Sequence, residues 1–222
     1  LAFLSFFIIA VYFSIKCFKN LNYKNSLLLA LTSALAMNSR IVAIYIPFLL
    51  SFFILLDCII KNISIKEKIK YLIIILFLSL IFFLITHPFL WEEPFKRFFE
   101  LFNIFASFSG MNSYEVFYFG KFYKTPYLPW HYMFVMFFVT TPLLITIFGF
   151  IGIFFTIKRL IKRLFSINES KIYNDIWRSH KEKIILYNFF LIFIPIFSSF
   201  LFDSAIYNGW RHLYFLYPLF II

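Results

Sequence analysis

The chain has 222 residues, 63% hydrophobic and only 14% charged, with a formal net charge of +11 and 37 phenylalanines. A soluble domain of this length buries one core; here the apolar residues come in successive runs, each near the length that crosses a bilayer. The runs are continuous rather than alternating, which excludes a β-barrel. The basic residues occupy alternate connecting segments, a membrane-topology pattern that argues against nucleic acid as the partner.

The apolar spans read 1–15, 26–38, 41–60, 71–86, 133–157, 184–202 and 212–222. They predict an all-α fold, a polytopic transmembrane helical bundle of about 6–7 spans. The whole of 1–222 forms one membrane domain, expected to be incomplete at both ends because it opens and closes inside apolar runs. Lys16, Lys19 and Lys24 follow the first span, and Lys61, Lys66, Lys68 and Lys70 follow the third. Segment 158–183 adds Lys158, Arg159, Lys162, Arg163, Lys171, Arg178, Lys181 and Lys183. These segments alternate with the break at Arg40, the long loop 87–132 and the turn 203–211. Retention of Lys and Arg on the cytoplasmic side places the first set inside and the second outside. The expected location is a bacterial plasma membrane, crossed several times.

Cys17 and Cys58 fall at cytoplasmic ends of spans and are expected to be reduced, structural thiols. Segment 158–183 is a basic cytoplasmic loop, solvated or facing headgroups, whose helical spacing of cations suits anionic lipid. Asn62 and Asn168 match the glycosylation acceptor pattern but lie on the cytoplasmic side, where the pattern has no meaning.

Four places could carry chemistry. Arg40 ends an apolar run, where a charge snorkels, pairs or meets a water-filled cavity; in a cavity it would aim a cation at a lipid phosphate. HPFLWEEP (87–94) stops a span with proline and offers Glu92 and Glu93, which are either solvated or available as acid, base or ligand. The FKRFFELFNIF that follows has apolar residues at helical spacing and predicts an interfacial helix within the extracytoplasmic loop. GKFYKTPYLPWHY (120–132) supplies Lys121 and Lys124 as cations and Trp130, His131 and Tyr132 as a stacking surface with a titratable imidazole; an aromatic belt would account for the Trp and Tyr alone. In DSAIYNGWRHLYFLYP (203–218), Arg211 and His212 open a span. They could clamp a phosphate or sugar among aromatics, or Arg211 could simply pair with Asp203.

His87, His131 and His212 all fall outside, but no HxxxH or CxxC spacing supports a metal. No cofactor is expected, with a divalent cation the one left open. Phosphate-binding loops, dinucleotide fingerprints and GxSxG elbows are absent from the sequence.

The order HPFLWEEPF, then GKFYKTPYLPWHY with TTP ten residues on, then YNGWRHLYFLYP resembles the C-type polytopic membrane glycosyltransferases (family 39). Within these the similarity is to the bacterial protein-mannosyltransferase-like group, with aminoarabinose transferases and rhizobial core-oligosaccharide transferases. The most specific pieces are PWHY before a span and GWRHLYFLYP at the start of a late one. The resemblance implies transfer of a sugar from a polyprenyl-phosphate-linked donor to a glycan, lipid or protein acceptor on the outer face. It further implies that Trp130, His131, Tyr132, Arg211 and His212 line the donor or acceptor cavity. Arg40 would clamp phosphate, Lys121 would add a cation, and Glu93 would belong to the cavity structure. In such enzymes the catalytic base is an acidic residue of the first extracytoplasmic loop, expected upstream of the region matched here.

Two other functions fit parts of the pattern. A flippase or transporter for lipid-linked glycans would explain cations facing a cavity, but it predicts charges within several spans and an inverted repeat. A non-catalytic scaffold would bind a partner through the outer loop and would be indifferent to Arg211 or His131.

Overall fold

The computed structural model describes residues 2–60, 64–107, 115–165, 176, 177, 179–202 and 209–221. In chain order the helices are α1 (Ala2–Lys19), α2 (Tyr23–Ser39), α3 (Tyr45–Ile60), α4 (Ile65–Thr86), α5 (Pro94–Ser107), α6 (Tyr132–Thr140), α7 (Leu143–Phe165), α8 (His180–Leu201) and α9 (Tyr217–Ile221). Two strands, β1 (Glu115–Tyr118) and β2 (Lys121–Lys124), form an antiparallel hairpin between α5 and α6. Among the described residues five helical segments can cross a membrane by length and composition: α1, Ile41–Ile60, α4, Leu143–Arg163 and α8. The chain is a helical membrane protein.

Segments 26–38 and 212–222 are not among those five. The second splits into a 3-10 stretch, Arg211–Leu216, and the short α9. The first lies within α2, a largely buried helix. Ser26, Leu29, Ala30, Ser33, Ala34 and Ala36 are all fully buried along it, and it packs most extensively on α4 and α1. Small side chains let helix backbones approach closely without a large apolar side chain between them. Asn22 starts α2 by accepting the Asn25 N–H at 2.8 Å, an N-cap contact that satisfies one orphan donor.

Several element boundaries differ from the sequence reading for local reasons. α4 begins at Ile65, so Lys66, Lys68 and Lys70 ride on its first turns rather than in a loop. Lys70 sits against the Tyr23 and Tyr71 rings, 5.3 and 4.9 Å from their centroids. The expected span 133–157 is broken at Thr141, which is extended, and Pro142, whose ring cannot continue α6. Lys158, Arg159, Lys162 and Arg163 belong to the last turns of α7, where cations offset the helix dipole.

Residues 180–183 open α8, so the basic segment is helical at both of its ends. Lys183 is not solvated but 5% exposed. Its Nζ lies 3.1 Å from the Asp57 carboxylate, and 4.7 Å from the centroid of the Phe18 ring. Trp177 Nε1 donates to the other Asp57 oxygen at 3.0 Å, and its ring stacks on Phe53. Around this cluster Arg163 pairs with Glu182 at 2.8 Å. Cys17 and Cys58, both free and buried, flank it in sequence. The core therefore closes at this end around a buried ion pair joining α3 to α8.

Candidate functional site

The residues singled out in the sequence collect at the opposite end of the bundle. Arg40 follows α2 in an extended conformation, φ −155° and ψ 122°, and turns the chain into α3. Its Nη1 donates to the His212 carbonyl at 2.8 Å, and its guanidinium carbon lies 5.4 Å from the Phe3 ring centroid. Arg40 and His212, 172 residues apart, are thus brought together, with Arg211 exposed as the next residue along. Phe215, one turn further, packs edge-on against Phe3 and Phe7 and fixes this stretch to α1.

Beside Arg40 runs a polar contact that the sequence reading missed. Asn38 accepts at Oδ1 from His87 Nδ1 at 2.8 Å, while its amide nitrogen donates to the Thr86 hydroxyl. With Oδ1 as acceptor, His87 carries its proton on Nδ1, and in the neutral ring Nε2 is left as an acceptor. Burial lowers the His87 pKa below its ordinary value and favours that neutral form. The ring stacks on Phe83 at 5.2 Å. A polar Asn just before a charged break was the available signal, and it was read only as the last residue of the apolar run 26–38.

The second group forms around the start of α6. Tyr132 is buried, and its hydroxyl accepts the Gly209 N–H at 2.9 Å. It therefore holds the turn that leads into Arg211 and His212 rather than offering a stacking face. Gly209 takes φ +71°, a conformation that side chains disfavour. The adjacent Trp210 is buried against Phe137 at 4.8 Å and donates through Nε1 to Thr140 Oγ1 at 2.7 Å. His131 is half-buried beside Tyr118, ring centroids 5.8 Å apart. Trp130 is exposed and touches His131 and Phe134 edge-on.

Lys121 is exposed on β2. Glu93 is exposed and pairs with Lys96 at 3.0 Å, while Glu92 pairs with Arg97, whose Nη1 also donates to the Phe89 carbonyl at 2.8 Å. Both carboxylates thus tie the start of α5 to itself. Asp203, and with it an Asp203–Arg211 pair, lies outside the described residues, as do Asn62 and Asn168.

The arrangement brings two cationic side chains, three imidazoles and a carboxamide to one end of the bundle beside an aromatic surface. Such a set can neutralise a phosphate and hydrogen-bond a polar headgroup. Among the described residues no three His, Cys, Asp or Glu side chains gather as a metal-holding group. Comparison with family models, with curated proteins and with solved structures finds no match to this chain.

Proposed function

We propose that this chain belongs to a membrane glycosyltransferase that moves a sugar from a polyprenyl-phosphate donor to an acceptor on the outer face. The observation that carries the reading is the meeting of Arg40 with the Arg211–His212 turn. A half-buried guanidinium at the end of a bundle is costly unless it meets polar groups, and its planar donor fork suits phosphate oxygens. The alternation of basic segments supports placing this end outside and the Asp57–Lys183 end in the cytoplasm.

In this reaction a base takes the proton of the acceptor hydroxyl, and the freed oxygen attacks the anomeric carbon from the face opposite the phosphate. The carbon–oxygen bond to phosphate breaks, and the lipid phosphate leaves with the electron pair. Arg40 and Arg211 stabilise the charge that develops on that leaving group. His212 and His131 contribute hydrogen bonds to sugar or phosphate. Tyr132 is a positioning residue, because it acts through the Gly209 turn.

The test is transfer from a radiolabelled polyprenyl-phosphate sugar by the complete protein in lipid. Loss of one leaving-group donor is expected to lower kcat by about 100-fold or more in R40A and in R211A. Native mass spectrometry of bound polyprenyl phosphate separates lost binding from lost chemistry. Full transfer in both variants would overturn the assignment.

A further inference from the structure

The hairpin β1–β2 carries a feature that the proposed sugar transfer does not use. Register pairs Phe117 with Phe122 and Tyr118 with Lys121, leaving Phe119 and Gly120 as the two turn residues. Alternation along the strands sends the two sets of side chains to opposite faces. On one face Tyr118 is buried against Tyr132 and His131, ring centroids 5.0 and 5.8 Å away, which fastens the hairpin to the start of α6. On the other face Phe117 and Phe122 meet ring to ring at 5.1 Å and are 63% and 72% exposed.

The turn itself is unusual. Phe119 and Gly120 have φ +47° and +77°, so both central residues are left-handed, as a type I′ turn requires. That turn favours Asn, Asp or Gly, and a bulky ring at positive φ is a true outlier. Phe119 is 75% exposed at the tip, and its ring meets that of its neighbour Tyr118, centroids 4.5 Å apart. An aromatic held at such a position, out in front of an aromatic face, reads as a surface built to be covered.

We infer that the hairpin is a membrane finger: Phe119, Phe117 and Phe122 insert into the headgroup–acyl boundary of the leaflet on the Arg40 side of the bundle. The flanking residues match that occupant. Lys121 and Lys124 stand on the same hairpin as exposed cations suited to anionic headgroups. Trp91 after α4, Phe95 and Phe99 on α5, and Trp130 before α6 are exposed as well. Aromatic residues of this kind settle at the interface, where their rings are shielded and polar neighbours stay wet. The inference rests on the membrane character of the chain and is independent of the chemistry at Arg40.

Depth-resolved fluorescence on the full chain in phosphatidylethanolamine–phosphatidylglycerol vesicles tests it. Single cysteines replace Phe119, Phe122 or Lys124 in a C17A/C58A background and carry an environment-sensitive nitrobenzoxadiazole label. The F119C label is expected to be quenched by lipid doxyl groups near the boundary, about 5–10 Å deep, and shielded from aqueous iodide. Quenching by doxyl lipid is expected to weaken in the order 119, 122, 124. A flat or reversed order overturns the inference, as does iodide quenching at 119. Shielding from iodide without doxyl quenching means that protein covers the tip and also overturns it. Doxyl quenching that appears only after polyprenyl phosphate is added assigns the tip to that chain instead of the bilayer.

Discussion

Removing Lys183 should destabilise the protein far more than removing any exposed lysine. Asp57 and Lys183 are 6% and 5% exposed and lie 3.1 Å apart, with Trp177 Nε1 on the second carboxylate oxygen. K183M keeps most of the stem that packs under Phe18 but takes the Lys183 cation away from the buried Asp57 carboxylate. Breaking one side of such a pair costs about 3–5 kcal/mol, whereas replacing both partners with groups of similar size is near neutral. D57N should cost a similar amount, and the D57N/K183M double variant should recover most of the loss. At about 2–4 °C per kcal/mol for a chain of this length, each single variant should melt roughly 6–20 °C lower. The assay is built into the sequence. Cys17 and Cys58 are its only cysteines, and both are buried beside the pair, so a thiol-reactive fluorophore in detergent reports opening directly. The double-mutant cycle then gives the coupling. Single variants that melt within about 2 °C of the parent, or losses that simply add in the double, would refute the reasoning.

Three further outcomes follow from the Arg40 end. Burial holds His87 below its ordinary value of 6.5, so the unfolded chain takes up the proton first. That contribution is complete above the ordinary value and is lost as pH falls through the folded one; melting between about pH 7.5 and 5 should drop more for the parent than for H87Q, and equal slopes would sink the idea. T140V removes the acceptor of Trp210 Nε1 and should cost about 1–3 kcal/mol, read as a lower melting temperature, with T140S recovering most of it. G209A places a Cβ at φ +71°, 3.6 Å from the Met136 methyl carbon, and the left-handed conformation should cost about 1–2 kcal/mol. Because Gly209 leads into Arg211 and His212, the same variant should also weaken polyprenyl-phosphate binding in native mass spectrometry.

The parts legible in the sequence were those written in local order. Runs of apolar residues gave the helices, and the break at Arg40 followed from a charge after two polar residues in an apolar context. Pro88 marked the end of α4, whereas the break at Pro142 was passed over because apolar residues continue on both sides. The hairpin escaped because Phe-Gly is not the dipeptide that marks a type I′ turn. Asp57 with Lys183, and Asn38 with His87, were invisible for another reason: their partners are 126 and 49 residues away, and only packing decides who meets whom. Tyr132 shows the same limit in a single side chain. Its aromatic character suggested a stacking platform, while its hydroxyl is committed to the backbone of Gly209.

The buried position of α2 has a consequence for how the protein is made. A helix of 17 residues carrying Asn25, Ser26, Thr32, Ser33 and Asn38 gains little by leaving water for lipid alone. Its small residues pack on α1 and α4, Asn38 bonds Thr86 at the end of α4, and α4 is synthesised some 40 residues later. During translation α2 is therefore a passenger. It commits to the bilayer only when α4 emerges to receive it, and ribosome-bound chains released before and after α4 should differ in whether α2 is shielded from proteases.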